Sequence, residues 1–258
     1  MSGEKMAERM KDYEIIGFVS VGVIAFLFAL FLNAWSEDII FYLTNRNPSV
    51  SEITSQKIDL QKEPLQKDLA DFQKMKKYYT HQKTFFIEPK AEYEISGRIL
   101  STNMKLGMWG LSRTDFDYVA LIDVVLGWQD VANIELYEDN VKGLHQAKSP
   151  NGGRYYRFYV PGDSIWSVDY VSSHTSHNHI VPASNNIMAV LWKLKKYDVV
   201  KLKGYLVDIY KDGNTVAWTS LSRYDTDQTS RGYQNGKFGG SCEVMYVTSI
   251  QIEDKIYR

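Results

Sequence analysis

Three of the five histidines in this 258-residue chain fall within six positions, His174, His177 and His179, in the run Ser173-His174-Thr175-Ser176-His177-Asn178-His179. Imidazoles are common transition-metal ligands, and His177 and His179, two apart, would project from the same face of a strand. His174 could close such a set from a preceding turn, and zinc is the ion it would suit. Hydrolytic chemistry would further need an acid or base beside the metal, and neither Asp169 nor Asp225 can be brought there from spacing alone. The plainer reading is a polar loop with one histidine hydrogen-bonded into the fold. The expectation is therefore no metal and no cofactor, with His174, His177 and His179 as the ligands should zinc be held.

A second polar cluster, Trp218-Thr219-Ser220-Leu221-Ser222-Arg223-Tyr224-Asp225-Thr226, suits a strand end at which Arg223 pairs with a carboxylate such as Asp225. Neither serine sits in a glycine-flanked elbow, so Arg223, Asp225 and His179 read as a structural polar network. The single cysteine, Cys242, cannot form an internal disulfide. It opens the strand-like run Cys242-Glu243-Val244-Met245-Tyr246-Val247 and reads as a small buried apolar residue, with no base visible beside it. The glycines at 152–153 and 232–240 match no phosphate-binding loop. No catalytic constellation emerges, and the chain is not expected to be an enzyme.

The elements that would carry these residues are mostly strands. Tyr93–Leu100, Arg154–Val160, Val199–Ile209 and Glu243–Ile252 alternate in polarity, and Lys211-Asp212-Gly213-Asn214 is a hairpin signal leading into Thr215–Leu221. Val119–Leu126 is apolar, short and helix-like. Asn186–Lys195 places Ile187, Val190, Leu191 and Leu194 on one helical face, with Ser184 or Asn185 as its N-cap. Strands with inserted helices and no βαβ rhythm predict a mainly β, α+β domain over residues 84–258, a small antiparallel barrel-like fold. The internal Gly204 of the longest strand suggests the strongly bent strand of an OB-like barrel.

Ahead of this domain, Ile15–Leu32 carries no charge over 18 residues, enough to cross most of a ~30 Å hydrocarbon layer as a helix. Trp35 falls where an interfacial aromatic belongs, so residues 15–35 are read as an uncleaved transmembrane helix. Lys5, Arg9 and Lys11 precede the run and only Arg46 follows closely. That bias makes residues 1–14 cytoplasmic and, in a bacterium, sends the large domain from the inner membrane into the periplasm. Residues 36–83 are read as a juxtamembrane segment and helical stalk. Leu65, Leu69, Phe72, Met75 and Tyr79 recur at helical spacing, and the first four are candidates for contact with a partner. Thirty basic residues balance 31 acidic ones, so no global field draws the chain to nucleic acid, and none is expected as a partner.

From about Tyr93 to Val247 the chain resembles a family of uncharacterised proteobacterial proteins that usually carry an N-terminal hydrophobic segment. The ordered matches are Val125-Leu126-Gly127-Trp128, Gly153-Arg154-Tyr155-Tyr156, His179-Ile180-Val181-Pro182-Ala183 and Val200–Val207. They continue through Trp218–Arg223 with Asp225-Thr226 and end at Cys242–Val247. Of the clustered histidines only His179 falls on the family pattern, and the long insertion before Cys242 departs from it. The functional expectation is a membrane-anchored periplasmic structural or interaction protein, a subunit or scaffold of a larger envelope complex. Its partners would be the lipid bilayer and other membrane or periplasmic proteins. The alternative is a metal- or ligand-binding domain, or an enzymatic one, centred on His179, Arg223 and Asp225.

Overall fold

The structure, a computed structural model, describes residues 47–69, 76–80, 83–104, 114–148, 153–219, 221 and 242–258, together with Val23, Ala25 and Phe26. The expected anchor at 15–35, Phe72, Met75, Arg223, Asp225 and the glycines at 232–240 otherwise lie outside these residues. Among the described residues no helix is long and apolar enough to cross a membrane.

The fold is mainly β. In chain order the strands are β1 (Glu52–Ile53), β2 (Leu65–Asp68), β3 (Lys76–Thr80), β4 (Lys83–Met104), β5 (Ile122–Gly127), β6 (Lys142–Lys148), β7 (Arg154–Tyr159), β8 (Thr175–Pro182), β9 (Val199–Lys211), β10 (Asn214–Ala217), β11 (Cys242–Ile252) and β12 (Lys255–Tyr257). Short helices α1 (Asp115–Val119), α2 (Ile134–Asn140), α3 (Val168–Ser173) and α4 (Asn185–Leu191) lie between them.

Five strands pair in a ring, β4–β5–β8–β11–β9 and back to β4. Every step is antiparallel except β8–β11. The 22-residue β4 spans so much of the sheet that it needs different partners along its length. Its later half pairs with β5, while β3 and β2 line its earlier half on the same side. The β4–β9 register shifts between Pro89 and Ala91, where a residue without an N–H is tolerated.

Alternating residues fill the ring with an apolar core that includes Ile95, Ile99, Ile180, Leu202, Leu206 and Met245. Helix α4 packs Ile187, Val190 and Leu191 against it. Its N-cap is Ser184, whose hydroxyl accepts from the Ile187 amide at 3.1 Å. The next residue but one, Asn186, clamps the two ends of the sheet domain. Its side chain accepts from the Ser49 amide and donates to the Ser49 and Arg258 carbonyls, while short β1 pairs with β12.

Two sequence expectations need correction. Residues 65–68 and 76–80 are strands of the sheet, not one face of a stalk helix. Leu65, exposed, stands opposite Glu94, and the Leu69 amide donates to the Lys90 carbonyl. The early half of β4 presents a row of ladder groups, and pairing with it outweighs a helical period in a segment too polar to bury a helix face. The sheet thus takes in residues from Glu52 onward, ahead of residue 84. Likewise Val119–Leu126 is not a helix: α1 ends at Val119, and Ile122–Gly127 is a strand buried along its whole length. Burial on both faces removes the alternation that marks a strand, so period could not separate the two.

The hairpin between β9 and β10 is as expected, with Asp212 and Gly213 both at positive φ. Gly204 is where β9 passes closest to β11: a Cβ there would meet the Tyr246 carbonyl oxygen within van der Waals radii, and that oxygen is backbone. Gly204→Ala should therefore force the β9–β11 pair apart and cost roughly 1–3 kcal/mol. A lowered denaturation midpoint in urea, with Gly162→Ala, where a Cβ meets nothing within 4 Å, as the comparison, measures this.

Candidate functional site

Sheet register assembles the site. Residues directly opposite one another on paired strands project to the same face. On β8, His177 stands opposite Cys242 of β11 and Val125 of β5, and His179 stands opposite Val244 and Asp123. His177, His179, Cys242 and Asp123 therefore share one face across three adjacent strands. The intervening residues Ile122, Val124 and Ile180 belong to the apolar core inside the ring. The site lies on the outer face, beneath the segment that connects β5 to β8.

His179 Nδ1 lies 2.7 Å from Asp123 Oδ1, and the two imidazoles are in edge contact with ring centroids 4.6 Å apart. His177 Nδ1 is 3.2 Å from Cys242 Sγ, and His177 Nε2 is 3.3 Å from the side-chain oxygen Oε1 of Gln146. The Arg154 guanidinium, wholly buried, lies 3.2 Å from both Asp117 and Asp123 and donates to the Ala120 carbonyl at 2.8 Å. Burial alone would raise the Asp123 carboxyl. The charges of His179 and Arg154, with the His179 hydrogen bond, outweigh it and hold the group well below the usual carboxylate range. Burial pushes the Cys242 thiol up, reinforced by Glu243 and Asp123, so the base now seen beside it does not make it an activated nucleophile.

Two elements cover this face. Helix α1 begins in a capping box, with the Thr114 hydroxyl accepting from the Asp117 amide and the Asp117 carboxylate accepting from the Thr114 amide. The box aims Asp117 at Arg154. Phe116 then lies between Arg154, 4.0 Å from its ring centroid, and His179, in edge contact at 5.2 Å. Asp115 pins the helix by accepting from Lys83 of β4 at 2.7 Å and Lys211 of β9 at 2.8 Å. The β6–β7 hairpin supplies the second cover: Gln146, Arg154, and Tyr156 against the His177 ring. Between α1, the β9–β10 hairpin and β11 a cleft of about 640 Å³ opens, with Arg154, His179 and Cys242 among its lining residues.

His177 and His179 come together as expected, but His174 does not join them. It follows α3, its ring stacks on Tyr170 at 4.2 Å, and its Nδ1 is 2.8 Å from the Tyr170 carbonyl. The reading of Cys242 as a plain apolar residue is corrected by its contact with His177. Arg223 and Asp225 lie outside the described residues. Asp123, Asp117, Arg154 and Cys242 were not foreseen as members of the site. For Cys242 the missing information is the parallel β8–β11 pairing, which joins strands about 60 residues apart. Asp123, an acid inside an otherwise apolar run, is the one signal that the sequence offers.

Comparisons of this chain with known protein families, with characterised proteins and with solved structures find no match.

Two outcomes follow from the charges. Arg154→Met removes the guanidinium from two carboxylates in a buried setting and should cost about 3–5 kcal/mol. Adding Asp123→Asn should recover part of that loss, read by thermal unfolding of the parent, the two single variants and the double variant as a double-mutant cycle. Asp115 is held below its ordinary value of 3.8 by its hydrogen bonds to Lys211 and Lys83. Its contribution is present in full above that value and disappears as pH falls through the lowered folded one. With its side chain 35% exposed, and so screened by solvent, it should contribute under ~1 kcal/mol. Asp115→Asn should lower stability at pH 7 and make no difference at the acid end of a pH series of unfolding curves.

Proposed function

We propose that this protein is a membrane-anchored, non-enzymatic binding domain of the bacterial cell envelope. The Ile15–Leu32 run would hold it in the inner membrane, and its folded part would face the periplasm as a subunit of a larger complex. The observation that carries the binding role is the 640 Å³ cleft floored by Arg154, His179 and Cys242. A purely structural subunit has no need to open a cleft onto a buried cluster of ionisable groups, whereas binding sites commonly combine the two. This shifts the weight from scaffold alone to scaffold with a ligand. The centre of the site moves as well, from His179 with Arg223 and Asp225 to His179 with Asp123, Arg154 and Cys242.

We read the ring as an OB-like barrel. Numbering only its members, the strands pair in the order 1-2-3-5-4-1, the parallel step joins the third and fifth, and α4 lies between the third and fourth. In such barrels the outer face of the second and third strands, with the loops after the first and fourth, is the usual binding surface. Here that surface is β5 and β8, with α1 and the β9–β10 hairpin at its edges. A near-neutral chain without a basic stripe fits a small ligand better than nucleic acid.

The test is the full chain extracted from its native membrane in mild detergent and examined by native mass spectrometry. The expected result is a bound small species, released on denaturation, with partner subunits at fixed ratio. Val216→Trp, which fills the cleft from β10, should abolish that species and leave the unfolding temperature within a few degrees. Identical spectra for the parent and Val216→Trp chains would sink the binding role.

A further inference from the structure

His179 and Cys242, which line the cleft, and His177 beside them have the composition of a soft-metal site. His177, His179 and Cys242 each offer one ligand atom, and these atoms all lie within 4.8 Å of one another. Around a tetrahedral zinc with N and S ligands, neighbouring donor atoms stand roughly 3.5 Å apart. The His177 Nδ1 to Cys242 Sγ edge is already 3.2 Å, and no donor atom of the set lies more than 4.8 Å from another. We infer that His177, His179 and Cys242 bind a thiophilic transition-metal ion, Zn²⁺, on the outer face of the ring. The inference deepens the binding role by naming one species that the cleft would hold, and it rests on that role for the route by which the ion enters.

Two further observations support it. The first is the setting of His179. Asp123 engages its Nδ1 at 2.7 Å, so ligation would pass through Nε2, and a carboxylate on the far nitrogen is the arrangement that fixes tautomer and ring orientation at zinc sites. Asp123 would thus be a positioning residue and not a ligand. The second is charge. With His179 neutral, as a metal ligand must be, the Asp117 and Asp123 carboxylates face the single Arg154 guanidinium, a formal excess of one negative charge among these side chains. Zn²⁺ with the Cys242 thiolate adds one positive charge and cancels that excess. On binding, the S–H bond breaks, the S–Zn bond forms, and the thiol proton leaves to solvent, together with the His179 proton where that imidazole is charged against Asp123. The fourth position would fall to water or to whatever occupies the cleft.

The test uses the full chain in detergent, stripped with a chelator and then titrated separately with Zn²⁺ and Co²⁺. Elemental analysis after dialysis should find one zinc per chain. The cobalt form should show thiolate-to-cobalt charge-transfer absorption in the near ultraviolet, a signature that a merely structural cysteine cannot produce. Cys242→Ser should abolish that band, and His177→Ala should weaken Zn²⁺ binding by tenfold or more. Asp123→Asn should weaken it about 10–100-fold by loosening His179. His174→Ala, outside the set, should change nothing. A chain that takes up no zinc, or takes it up equally after Cys242→Ser, overturns the site. The parent chain's cobalt spectrum decides the question even if a variant does not fold. The two readings also fail separately. If no zinc binds but Val216→Trp still displaces another species, the metal site falls and the binding role stands. If zinc binds while Val216→Trp leaves the native spectrum unchanged, the small-ligand cleft falls and the metal site stands.

Discussion

Closure of the ring requires one strand to hydrogen-bond on both sides while turning through a tight bend, and β9 meets that demand. It pairs with β4 along nearly its whole length and with β11 across its first half. The two partners can be held together only if the chain approaches β11 more closely at one point than a side chain permits, and Gly204 is that point. Everything downstream depends on this closure. With β9 and β11 joined, β11 is brought to lie beside β8, and its direction is set parallel. That direction places Cys242 at the level of His177, with Asp123 facing His179 from the other side.

The same strands then serve two solvents at once. Along β5 and β8 alternate side chains enter the apolar interior, and the others meet a second layer made of α1 and the β6–β7 hairpin. This outer layer is what allows charged groups to be buried. In a single-layer ring Asp123 and His179 would face water. Under α1 they face Arg154 and Phe116, and the capping box of a five-residue helix becomes part of the electrostatics of the site. The price is a set of mutually dependent ionic contacts, in which losing one partner strands another.

Much of the sheet was legible in the sequence. The strands around Tyr93–Leu100, Arg154–Tyr159, Val199–Lys211 and Cys242–Ile252 all alternate clearly, and the Asp212-Gly213 turn has its own chemistry. The Ser184 cap and the apolar face after it also mark α4. What failed had lost its periodicity or depended on distant pairing. Residues 122–127 are buried on both faces and so look the same as a buried helix. Leu65 and Leu69 show a helical interval, yet the ladder offered by β4 decides their conformation. The site was half legible: His177 and His179 announce a shared face, whereas Cys242 and Asp123 join them through register that no local pattern encodes. The proximity of His174 in sequence was misleading, because the chain turns at the end of α3 and carries that ring away.

The clamp at Asn186 gives the molecule a mechanical character. The chain enters the domain at Ser49 and Ser51 and ends at Arg258, and both ends are tied to each other and to the start of α4. A force applied through the residues ahead of position 47 would therefore be shared with the carboxyl end from the outset. It would load β1 against β12 and α4 before it reached the ring. The weak point under tension is then a two-residue strand at the rim, while the strands that carry His177, His179 and Cys242 lie further inside the sheet. A domain built this way can be pulled through the residues ahead of position 47 without disturbing the geometry of its cleft.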